Sequence, residues 1–173
     1  VDGTTAGVIR FMDSGSVTEE ATISSDANGG LIFGGNSGPG ELIFKTNSGT
    51  EHMRINAIGA VTMPLQPAFL ATKTSNANNF TIGSQQDVTF TTEVYDQNAD
   101  FASSTFTAPV TGKYYLKCSI YLSGVDTAVD YYAIRINTSN RVYIKIFTPK
   151  FTADVDFMSM EVSTVADMDA SDT

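Results

Sequence analysis

The sequence predicts an all-β protein in two parts, a glycine-rich run of very short strands over residues 1–66 and an antiparallel β-sandwich over residues 67–173. Three observations carry this. From Tyr114 to Leu122 the residues alternate, with Tyr114, Leu116, Cys118, Ile120 and Leu122 on one face and Tyr115, Lys117, Ser119 and Tyr121 on the other. Composition breaks at Pro64-Leu65-Gln66-Pro67: eleven of fourteen glycines precede it and fifteen of eighteen aromatics follow it, so only the second part has the large side chains of a core. No stretch carries a helical period.

The first part repeats itself. Leu31-Ile32-Phe33-Gly34-Gly35-Asn36-Ser37-Gly38 recurs as Leu42-Ile43-Phe44-Lys45-Thr46-Asn47-Ser48-Gly49, and Val8-Ile9-Arg10-Phe11-Met12-Asp13-Ser14-Gly15 is a looser copy. Each unit reads as a short apolar strand closed by an Asn/Asp-Ser-Gly turn, where glycine supplies positive φ. Glu51 to Pro64 then reads strand, turn, strand. Strands this short cannot bury a core within one chain and gain stability by stacking on neighbours or on other copies.

The second part opens with a strand from Ala68 to Thr72, and Phe80 to Tyr95 carries one or two more around Gly83. After the long alternating strand, Ser123-Gly124-Val125-Asp126-Thr127 is a loop. Tyr132, Ile134 and Ile136 lead through the Asn137–Asn140 turn into Val142, Ile144 and Ile146, a hairpin. Thr148 to Asp154 is a second loop, and Met158, Met160 and Val162 begin a last strand. The polar run from Ala166 to Thr173 reads as a turn awaiting another strand. The chain is thus expected to be an interior piece of a longer polypeptide, with roughly two further strands completing an eight-stranded fold.

Charge narrows the partners. A formal net charge of −9 with no run of Lys or Arg argues against nucleic acid and against an anionic membrane surface. No apolar run approaches the length of a membrane span, so no membrane insertion is expected. The lone Cys118 sits among core-type residues and reads as a buried thiol. No catalytic group, cofactor site or metal site is assigned. His52 could meet Ser48 or Ser37 only through tertiary or intersubunit contact and reads as a polar surface residue, and Gly34 to Gly40 lacks the Lys-Ser/Thr of a phosphate loop. Asp167, Asp169 and Asp172 offer oxygens of the kind calcium takes, but without the glycine and glutamate of an EF-hand loop they read as a solvated acidic turn.

Phe90, Asp96, Phe101, Phe106, Gly112, Tyr114 and Leu116 have a spacing that resembles the fingerprint of the C1q-like domain, a trimeric jelly roll related to tumour necrosis factor. The run Thr46-Asn47-Ser48-Gly49-x-Glu51-x-Met53-Arg54-Ile55, followed by Gly59-Ala60-Val61, resembles repeats in bacteriophage tail-fibre shafts. Together they imply a homotrimeric shaft ending in a C1q/TNF-like jelly-roll tip, a viral tail fibre on the virion that joins other tail proteins. It would attach to a host-surface glycan or protein. Tyr115 and Tyr121, too apolar for a solvent face, would lie at the threefold interface. Receptor contact would fall to loops at one end of the sandwich: Ser123, Gly124, Val125, Asp126 and Thr127, with Thr148, Pro149 and Lys150. The alternatives are a secreted or cell-surface C1q-like binding module, or a fibre-borne glycan depolymerase.

Overall fold

The computed structural model describes residues 8–12, 19–25, 28–35, 40–78, 80–81 and 83–173. Among them are fourteen strands and no helix. The chain divides into two compact units, Val1–Gln66 and Pro67–Thr173.

In the first unit β1 (Val8–Met12), β2 (Glu19–Ser25) and β3 (Leu31–Gly35) form one antiparallel sheet, and β4 (Leu42–Lys45), β5 (Glu51–Ile55) and β6 (Val61–Thr62) another. The repeated segments do not pair with one another: β1 and β3 both pair with β2, and β4 pairs with β5. Two turns of the same kind close β4–β5 and β5–β6. Gly49 and Gly59 adopt φ of +81° and +84°, and each donates its N–H at 2.9 Å, to the carbonyls of Thr46 and Asn56 respectively. Asn56 Oδ1 also accepts from the N–H groups of Ile58 and Ala60. Arg54 fastens the sheet by reaching both Glu41 and Glu51. The Asn36-Ser37-Gly38 and Asp13-Ser14-Gly15 turns lie outside the described residues.

The second unit holds β7 (Phe69–Thr72), β8 (Thr92–Asp96), β9 (Phe101–Ala102), β10 (Thr105–Phe106), β11 (Gly112–Val125), β12 (Tyr132–Asn137), β13 (Val142–Phe147) and β14 (Val155–Met168). They pair as four two-stranded antiparallel sheets: β7–β8, β9–β10, β11–β14 and β12–β13. The long pair β11–β14 keeps one register from Gly112↔Met168 to Val125↔Val155. Its inner face carries Cys118, Ile120, Leu122, Met158, Met160 and Val162, packed on Tyr132, Ile134, Ile136, Tyr143 and Phe147 of the other pair, so the two sheets form a sandwich. A second cluster lies at its Gly112 end, where buried Ala108, Ala166 and Met168 meet Phe106, Tyr114 and Leu116.

The fingerprint residues do structural work at that same end. Ser103 and Ser104, at φ of +51° and +65°, make a two-residue turn of the mirror-image class that brings Phe101 opposite Phe106. Phe69 stacks on both rings, at centroid distances of 4.4 and 5.4 Å, and Phe106 meets Tyr114 at 5.2 Å. Asp96 accepts the backbone N–H groups of Asp100 and Phe101 at 3.1 and 2.9 Å, holding the turn ahead of β9. Tyr114 donates its hydroxyl to the Val110 carbonyl at 2.6 Å.

Three expectations change. Of Phe80 to Tyr95, only Thr92 to Tyr95 lies in a strand among the described residues, because the segment before it is polar and Gly83 turns the chain at φ +81°. Ser123 to Val125 belong to β11, since Val125 is buried opposite Val155. Ala166 to Met168 belong to β14, paired with Gly112 to Tyr114.

Candidate functional site

The two loops expected to contact a receptor emerge from one end of the sandwich, beyond the Val125↔Val155 pair, and the structure joins them. Thr127 donates its backbone N–H and its hydroxyl to one oxygen of Asp154, at 3.0 and 2.9 Å. These bonds, the backbone one foremost, hold the Asp154 carboxyl below the usual aspartate range. Asp126 Oδ1 accepts from Ala128 N–H at 2.6 Å, a local turn. The Tyr132 hydroxyl accepts from the Asp126 N–H at 2.8 Å and donates to its carbonyl at 3.1 Å, tying the first loop to β12.

The residues named from the sequence sort into two roles. Val125 and Pro149 are buried and anchor the loops, whereas Ser123, Gly124, Asp126, Thr148 and Lys150 are exposed. Thr127 is half-buried and serves as the clasp. Two exposed rings belong with them, Phe151 inside the expected Thr148–Asp154 loop and Tyr131, which the sequence reading did not single out; Phe151 packs against Phe147 at 5.9 Å. The signal for Tyr131 was present in the sequence as an aromatic residue beside a polar loop.

Tyr115 and Tyr121 stand on the outward face of β11–β14, 68% and 64% exposed. Each has an apolar companion on β14: Val165 lies opposite Tyr115, and Phe157 stacks on Tyr121 at 5.3 Å. Lys117 and Glu161 pair between the two patches at 2.9 Å, and Ser119, Ser159 and Ser163 keep the centre shallow. β13 carries a second exposed row, Val142, Ile144 and Ile146, because its aromatic residues Tyr143 and Phe147 take the inner side.

The groups weighed for chemistry lie apart. His52 is exposed on β5, and the Ser48 hydroxyl bonds the hydroxyls of Thr46 and Thr50. Ser37 lies outside the described residues, as does most of the Gly34 to Gly40 run. Burial pushes the Cys118 thiol up, away from the reactive thiolate. At the Gly112 end, a shallow open depression is lined by Thr111, Lys113, Asn140, Asp167 and Asp169. Its carboxylates are occupied by protein donors. Asp167 takes Arg141, Asp169 takes the Thr111 hydroxyl, and Asp172 takes Asn140 and the Asp169 N–H. No set of three His, Cys, Asp or Glu converges for a metal among the described residues. The polar turn read as leading to another strand is fastened here to Ala108 and Ser139 through backbone bonds of 2.8 Å.

No family model, no curated protein and no solved structure matches this chain.

Proposed function

We propose that the chain is a structural and adhesive protein, the shaft end and globular tip of a homotrimeric bacteriophage tail fibre that attaches the virion to a host-surface glycan or protein. One observation carries the reading. No residue of the first unit whose exposure is described is buried, and Leu31, Ile32 and Phe33 stand 66%, 43% and 54% exposed in succession, so both faces of β3 meet water. A strand apolar on both faces needs cover on both, and a segment without a core obtains that from other copies of itself. An isolated cell-surface module gains nothing from such a segment.

The second unit adds support. The outward apolar face around Tyr115 and Tyr121 suits a threefold contact, and the convergence of Asp96, Phe101, Phe106 and Tyr114 suits a C1q/TNF-type jelly roll. The clasped loops at the other end would serve for receptor contact, and three copies would convert weak contacts into avidity.

Light scattering on the purified chain tests the assembly. A mass of three times 18.5 kDa is expected, and a stable 18.5 kDa species at micromolar concentration overturns the reading.

A further inference from the structure

Alternation sorts the β4–β5–β6 sheet into two unlike faces. Its register sets Leu42, Ile55 and Val61 in one row, and Phe44 and Met53 in the next row along the same face. These five side chains carry no nitrogen or oxygen. On the other face Ile43, Arg54 and Thr62 stand in register. There the Arg54 guanidinium donates to both oxygens of Glu51, at 2.9 and 2.6 Å, and also reaches Glu41. One face is wholly apolar, and the charges of the other satisfy each other within the chain.

The apolar face is uncovered. Phe44 and Val61 are 49% and 56% exposed, and Leu42, Met53 and Ile55 are only half-buried. None of the five joins a core cluster among the described residues. Possible occupants differ in what they require. A lipid phosphate or an acidic partner requires a cation, and Arg54 stands on the opposite face with its carboxylates. A sugar requires donors and acceptors for its hydroxyls, and this face has none. A further copy of the same face requires neither, because symmetry sets apolar groups on apolar groups and no like charges meet.

The width of the sheet decides the number of copies. Two sheets face to face would cover the apolar rows but leave β4 and β6 as open edges. Three strands at about 4.8 Å make a sheet about 14 Å wide, and a triangle of that side has an inscribed radius of about 4 Å, close to the ~5 Å that is half the spacing of packed sheets. Three copies therefore fill the space between them and bring β6 of each beside β4 of the next.

We infer that the Leu42, Phe44, Met53, Ile55 and Val61 face of β4–β5–β6 packs on the same face of two further copies around a dry threefold axis, with the Arg54–Glu41–Glu51 network outside. This rests on the homotrimer proposed above and names the surface that makes the contact in the first unit. Ile55, on the central strand, lies nearest the axis, whereas Thr62 faces outward.

Cysteine cross-linking of the full chain tests this. Ile55→Cys and Thr62→Cys are oxidised separately with diamide, which takes the two thiol hydrogens as each disulfide forms. The unaltered chain, whose one thiol is the half-buried Cys118, sets the background. On a non-reducing gel about two of every three Ile55→Cys chains should run as linked pairs, since a trimer leaves one thiol over. Thr62→Cys should stay at background. Equal linking at both positions, linking at Thr62→Cys alone, or none at Ile55→Cys overturns the inference. Light scattering on the unaltered chain keeps the two readings apart: a trimer in which Ile55→Cys does not link sinks only the assignment of this face, whereas a monomer sinks the fibre assembly as well.

Discussion

Thr127 gives two hydrogen bonds to a single carboxylate oxygen of Asp154, 27 residues away, and so joins the two loops at one end of the sandwich. Because those bonds depress the Asp154 pKa in the folded state, they favour the clasp above the unfolded carboxylate value, and that contribution is lost as pH falls through the depressed one. The Thr127 amide resonance, followed by NMR, should therefore titrate below the pH of a free aspartate. Asp154→Ala should abolish the titration, and a midpoint at the ordinary aspartate value would show that the clasp is open in solution.

Asp96→Ala leaves the N–H groups of Asp100 and Phe101 without their acceptor. A loss of about 1–3 kcal/mol in unfolding free energy is expected, with Asp96→Asn losing less because one oxygen remains. Urea titration of the three proteins measures the order.

Ala166 is fully buried while Ser163, three residues away, faces outward. Ala166→Leu should cost about 1–3 kcal/mol by overpacking against Ala108 and Met168. Ser163→Ala should stay within about 0.5 kcal/mol. Similar midpoints for both in thermal unfolding would mean that the face assignment of β14 is inverted.

Tyr121→Asp should weaken assembly, since it sets a carboxylate in an apolar patch that the proposed trimer would bring together. Light scattering against concentration reads the effect. Normal assembly of this variant would remove Tyr121, and the Phe157 ring stacked on it, from the interface.

Much of the fold was legible because strands write their period into the chain. The alternation from Tyr114 to Leu122 sorted the two faces of β11 as they stand, and the proline-flanked break at residues 64–67 falls where the chain divides. The Asn-Ser-Gly turn at Gly49 was visible because only a few residues tolerate positive φ. Strand ends were less legible. Gly124 looked like a loop, yet the strand runs through it to Val125, since pairing with β14 decides where a strand stops.

What the sequence determined by itself is the class of structure, the turns and the two faces of each strand, because these depend on backbone sterics and side-chain period within a few residues. Which face turns inward was decided only in three dimensions. In β13 both alternating sets are large, and the sandwich took Tyr143 and Phe147 inside because they fill the space beside Ile134 and Met160, leaving the Val142–Ile144–Ile146 row in water. The tertiary structure likewise joined Thr127 to Asp154, a contact between segments that sequence order keeps apart.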